Sequence, residues 1–127
     1  SQRYAVATEI NVPDLRRQDL KNRQNSIDDL PEEKVEFLQQ QIDNHYRSAI
    51  DIYNSMLDSG VAKECARSVL PLSTATRLYM SGTIRSWLHY VDLRAANGTQ
   101  LEHMQIARSI GDILADQVPT VARAMWD

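Results

Sequence analysis

PEEKVEFLQQQIDNHYRSAIDIYNSMLDSG, residues 31–60, carries one apolar stripe from end to end. Val35, Leu38, Ile42, Tyr46, Ala49, Ile50, Tyr53 and Leu57 recur at the three- and four-residue intervals that line up on one face of an α-helix. Pro31 suits a first helical turn, Glu32 and Glu33 favour the positive end of the helix dipole, and Gly60 is a natural C-terminal cap. The stretch predicts a helix of roughly 27 residues, on the order of 40 Å long. Its opposite face is acidic: between Asn25 and Gly60, eight Asp and Glu residues stand against Lys34 and Arg47. A stripe this long offers more apolar surface than a chain of 127 residues can cover by itself, so a homo-oligomer is expected.

Downstream, residues 61–70 read as a short helical segment that Pro71 stops, because proline lacks the amide donor and disfavours a helical residue before it. The next helix is expected from Ser73 or Thr74 to Ala96, closed by Asn97 and Gly98. Within it, Leu78, Tyr79, Ile84, Trp87, Leu88 and Val91 bracket a small polar patch of Ser81, Gly82 and Thr83, where a backbone or a flat ligand could approach closely. A third long helix spans Thr99 to about Val118, with Leu101, Met104, Ala107, Ile110, Ile113 and Leu114 at helical spacing, and Pro119 opens a last short one. Upstream, Tyr4 to Val12 alternates loosely and predicts a short strand or extended lead before Pro13. Asp14 to Asp29 is polar, has no apolar stripe and reads as a connecting loop.

The length fits a single domain, 1–127. A net charge of -3 gives no overall attraction to nucleic acid or to an anionic membrane, and no stretch has the apolar length of a membrane span, so a cytoplasmic protein is expected. Cys65 is the sole cysteine, which excludes an internal disulfide and a thiolate zinc site; it reads as a small core residue. No histidine and carboxylate pair has convincing ligand spacing, so no metal is expected.

The charge balance reverses between Val61 and Arg94, where Lys63, Arg67, Arg77, Arg85 and Arg94 face only Glu64 and Asp92. A guanidinium is permanently charged and forks to two acceptors, which suits phosphate and the carbonyl edges of a pyrimidine. Arg85 and His89 are four apart and share a helix face. Taken alone, Arg67, Arg85 and Arg94 also read as surface arginines lying over an apolar stripe, and His89 as a partly buried helix histidine. Trp87 and Tyr90 read as core or interface packing.

Three segments taken in order are more specific. Ala66-Arg67-Ser68-Val69-Leu70-Pro71, then Thr83-Ile84-Arg85-Ser86-Trp87-Leu88-His89 through Arg94, then Gln100-Leu101-Glu102 resemble the flavin-dependent thymidylate synthase family. That family has Ala-Arg-x-x-Leu-Pro, then Asn-x-Arg-x-x-x-His/Asn-Phe-x-x-x-Arg, then Ala-Gln-x-Glu. Ser1-Gln2-Arg3-Tyr4 is similar to the tail of its defining motif, Arg-His-Arg-x-x-Ser-x-Asn-Glu-x-Ser-x-Arg-Tyr, whose first half would lie before Ser1. The resemblance implies the C-terminal part of an α/β fold whose N-terminal half supplies the main sheet. For the sequence as it stands, the expectation is α+β and mostly α-helical, a short N-terminal strand followed by long helices.

By the same resemblance, Ser1, Gln2 and Arg3 would cradle the phosphate of dUMP, Arg67 would add a contact from a neighbouring subunit, and Arg94 would face the uracil ring as the catalytic group. Thr83, Ile84, Arg85 and His89 would line the FAD site. The implied reaction is reductive methylation of dUMP to dTMP, with NADPH as reductant and methylenetetrahydrofolate as carbon donor, in a homotetramer whose active sites are shared. Thr83 departs from the family's Asn, Thr99 from its Ala, and His103 with Met104 from its Ile-Arg. Two other readings stand beside this one: a non-catalytic helical assembly module whose arginines pair with a partner's acidic face, and a truncated, inactive piece of the enzyme.

Overall fold

The computed structural model describes residues 2–6 and 9–126. The apolar stripe folds as expected into one helix, α1, Glu32–Asp58. At its end Gly60 adopts φ +81°, its N–H bonds Leu57 O at 2.9 Å, and the N–H of Val61 reaches Met56 O at 2.9 Å. This pair of bonds satisfies carbonyls that a helix end leaves without partners, and only glycine adopts the required φ cheaply. The turn sends the chain into α2, Lys63–Ala66, followed by a 3-10 turn, Arg67–Val69. Tyr53 and Ala66 are fully buried there, with Met56, Leu57, Val61, Val69 and Leu70 packed around them. The beginning of the stripe is less covered, and Leu38 is exposed.

The chain divides into two compact units. The first, Ser1–Leu15 with Leu30–Tyr79, holds α1, α2 and the 3-10 turn. The short N-terminal strand expected over Tyr4 to Val12 is reduced to a single antiparallel bridge, Ile10 to Thr74. Asn11 N–H bonds Ser73 O and Ala75 N–H bonds Glu9 O, each at 2.9 Å. Ala7 and Thr8 of that expectation lie outside the described residues. The same pairing corrects the helix expected from Ser73 or Thr74: the backbone of Ser73 and Ala75 is engaged with residues 9 and 11, so no helix begins there. Cys65 is also corrected. It is exposed, and the neighbouring Ala66 takes the core position.

The second unit, Arg16–Asp29 with Met80–Asp127, contains the sheet and the remaining helices. The segment read as a loop forms an antiparallel hairpin of β1, Arg17–Gln18, and β2, Ser26–Ile27, with Arg17 opposite Ile27 and Gln18 opposite Ser26. Polar side chains build it instead of an apolar face. Asp19 accepts from the Lys21 and Asn22 backbone N–H groups and from Asn25 Nδ2, and Arg17 forks onto both oxygens of Asp29 at 2.7 Å. Three helices follow: α3, Ile84–Arg94; α4, Leu101–Gln117; and α5, Pro119–Trp126. Leu88, Val91, Ala107 and Ala122 are their buried residues. Gly111 brings α4 close to α3, since a Cβ there would stand 3.3 Å from Val91 Cγ1.

Among the described residues the architecture is therefore α+β and mostly helical, with one small sheet. Among the described residues no helix is long and apolar enough to cross a membrane.

Candidate functional site

The arginine-bearing helix starts at Thr83. Its side chain accepts from Ser86 N–H at 3.2 Å, so the small polar patch expected in mid-helix is instead the helix entrance. From that start, positions 84, 85, 88, 89 and 92 share one face of α3. Ile84, Arg85, Ser86, Leu88, His89 and Asp92 line a cavity of about 690 Å³, and Val121 and Met125 of α5 line it with them. That volume falls within the range of about 300–1,000 Å³ typical of ligand sites. Among the described residues neither Arg85 nor His89 has a hydrogen bond or ion pair, so their donors are free, while Ile84, Leu88, Val121 and Met125 supply an apolar part of the surface beside the polar Ser86 and Asp92. This donor set fits a flat heteroaromatic group with one acceptor-rich edge and one apolar edge.

The structure brings together three of the four residues assigned to the flavin, Ile84, Arg85 and His89. Thr83 caps the helix beside them. Arg94 ends the same helix, exposed, about half a turn round from Arg85, and does not line that cavity.

The remaining candidates belong to the first unit. Arg3 pairs with the Glu64 carboxylate at 3.1 Å, and Arg67 Nε donates to the Glu64 backbone carbonyl at 3.3 Å. Glu64 is thus common to both arginines, and the other donors of Arg67 are unengaged among the described residues. Gln2 is half-buried, and Ser1 lies outside the described residues.

Some of the site was not apparent from sequence reasoning. Val121 and Met125, four apart on α5, repeat the one-face spacing that marked Arg85 and His89, but nothing local says which helix they meet. Trp126 Nε1 donates to Asp92 Oδ1 at 2.7 Å and ties α5 to α3. The Gln100-Leu101-Glu102 motif also has a structural task. Glu102 accepts from Arg16 Nη2 at 2.6 Å and from Gln100 Nε2 at 3.0 Å, while Arg16 Nε donates to Ser26 Oγ at 2.9 Å. Burial pushes the Glu102 carboxyl up, but the hydrogen bonds from Arg16, its own backbone N–H and Gln100 outweigh it, and the net direction is down. A second, polar cavity of about 270 Å³ opens beside this pair, lined by Arg16, Gln18, Arg23, Asn97, Gly98 and Gln100 among others. His103 is structural: its Nε2 lies 2.8 Å from Tyr90 Oη, and Trp87 meets the Tyr90 ring edge-on at 5.6 Å.

The model of one protein family, described as thymidylate synthase complementing protein, matches residues 1–120. The chain belongs to this family. Among curated relatives, a protein of Paramecium bursaria Chlorella virus 1 named "Probable flavin-dependent thymidylate synthase" is 47% identical over 126 residues, covering 98% of this chain and 58% of the relative. A flavin-dependent thymidylate synthase of Synechocystis is 46% identical over 125 residues with the same coverage, and one of Thermosipho africanus is 31% identical over 125 residues. The chain thus spans 58% of the length of the first two relatives. The family match takes in Arg3, Arg67, Arg85, His89 and Arg94, and ends before Val121, Met125 and Trp126.

Proposed function

We propose that this sequence is the C-terminal part of a flavin-dependent thymidylate synthase, folding as one domain over residues 1–127, that converts dUMP to dTMP. The observation that carries this reading is the pair of free donors, Arg85 and His89, set against an apolar wall in a member of this family. The flavin is FAD, the reductant NADPH and the carbon donor methylenetetrahydrofolate. When bound, the flavin supplies electrons, so no protein nucleophile is needed and the exposed Cys65 has no part in the reaction.

The residues of this chain bind and polarise. Arg85 and His89 would hold the acceptor edge of the flavin, Ile84 would add apolar contact, and Thr83 fixes the start of the helix. Ser1, Gln2 and Arg3 take the nucleotide phosphate, and Arg67 adds a contact from a neighbouring subunit through the donors that Glu64 leaves unengaged. Arg94 stands at the uracil ring and stabilises the negative charge left when the N3 proton departs, a preorganised electrostatic contribution. The exposed apolar side chains of α1, Phe37, Leu38 and Ile52 among them, support assembly of several copies. We assign a cytoplasmic homotetramer with shared sites.

The test uses the full-length protein that carries this sequence. It should be yellow as purified and bind dUMP, and Arg94→Ala should abolish turnover with its circular dichroism unchanged. Turnover near the wild-type level in Arg94→Ala would remove Arg94 from its catalytic role. A colourless protein indifferent to dUMP would favour the helical assembly module.

A further inference from the structure

We propose that α5 is a wall of the flavin cavity, held in place by the hydrogen bond between Trp126 and Asp92, which makes those two positioning residues and makes Val121 and Met125 selective for a ligand with an apolar edge. The inference rests on the reading of Arg85 and His89 as flavin-facing residues.

A single helix presents a convex surface, so the face of α3 that carries Arg85 and His89 encloses nothing without a second wall. Val121 and Met125 provide it. α5 has eight residues and follows a break at Val118, whose φ of -134° and ψ of 58° leave the helical region. Helices this short are marginal in water, so the place of α5 is set by its tertiary contacts. One is the burial of Ala122; another is the indole N–H of Trp126 on Asp92 Oδ1 at 2.7 Å, a neutral donor on a charged acceptor at an exposed position.

Asp92 also lines the cavity. Trp126 takes its Oδ1, and among the described residues Asp92 makes no ion pair with Arg85 or His89, so the donors of both stay available. The cavity then has a polar side from α3 and an apolar side completed by α5. A phosphate alone would leave that apolar side wet, whereas a flat ring system with one acceptor edge and one hydrocarbon edge covers both.

The test takes the full-length protein stripped of flavin and measures two things: amide hydrogen exchange in α5 without ligand, and FAD affinity by quenching of flavin fluorescence. Trp126→Phe, which keeps the ring and removes the donor, should speed exchange in α5 but not in α4, and should weaken FAD on the order of tenfold, the usual effect of losing a charge-assisted hydrogen bond, with dUMP affinity unchanged. Asp92→Ala should match it, and Asp92→Asn, which keeps an acceptor, should restore most of the affinity. Met125→Ala leaves the tether intact and should still weaken FAD. If Trp126→Phe, Asp92→Ala and Met125→Ala all bind FAD like wild type while Arg85→Ala does not, the wall is refuted and the flavin reading stands. If Arg85→Ala also binds FAD normally, the flavin reading fails and takes this proposal with it.

Discussion

Arg16 and Glu102, 86 positions apart in the chain, meet at 2.6 Å between Nη2 and Oε1. The contact fixes the β1–β2 hairpin to the first turn of α4, where the helix dipole also favours a carboxylate. The Arg16 side chain is only 11% exposed and that of Glu102 35%. Removing the acid therefore strands a nearly buried guanidinium that, among the described residues, retains only Ser26 as a side-chain acceptor. Glu102→Ala should lower stability by about 1–2 kcal/mol, the modest end of the range for a charged hydrogen bond because Glu102 is partly in water. Urea denaturation checks this, and an unchanged midpoint would show that solvent replaces the carboxylate at no cost.

Acid should open the hairpin. The Asp19 carboxyl is held below its usual value by the Asn25 side-chain amide and by the Lys21 and Asn22 backbone N–H groups, and that of Asp29 by the Arg17 guanidinium. Both folded values lie below the unfolded ones. Their stabilisation is thus complete above about pH 4 and is lost as pH falls through the lower folded values. Backbone amide resonances of residues 17–27, followed by NMR from neutral pH downward, should move only below about pH 4. Transitions above that would show that the carboxylates are not engaged in solution.

Gly60→Ala should destabilise α1. No atom lies within 4 Å of the Cβ that would be added, so the cost comes from φ +81° alone, about 1 kcal/mol. Thermal denaturation should show the loss, and a gain in stability would mean that the helix end has moved.

Thr83 carries a test of both fold and site. Thr83→Ala removes the side-chain cap on Ser86 N–H and should cost about 1 kcal/mol. Thr83→Asn keeps a capping oxygen and restores the family's residue beside Arg85. Its melting temperature should stay near wild type and its FAD affinity should equal or exceed wild type. FAD affinity unchanged in a normally folded Thr83→Ala would separate this position from the flavin.

Sequence alone determined the elements whose signal is local. The stripe from Val35 to Leu57 with Gly60 at its end gave α1, the spacing from Leu101 to Leu114 gave α4, and Pro119 marked the start of α5. The shared face of Arg85 and His89 was equally legible, because four residues make about one helical turn. Tertiary structure decided the rest. Residues 73–75 are drawn into backbone pairing with residues 9–11, which keeps them out of a helix, and the arginine helix starts at Ile84 behind the Thr83 cap. The hairpin has no apolar alternation to announce it and depends on Asp19, on the Arg17–Asp29 pair and on Arg16 reaching Glu102. Trp126 meets Asp92 across 34 positions to complete a cavity that neither helix encloses by itself. Periodicity records what neighbouring residues share along a helix or strand; a bond between distant residues exists only after the chain has folded back to bring them into reach.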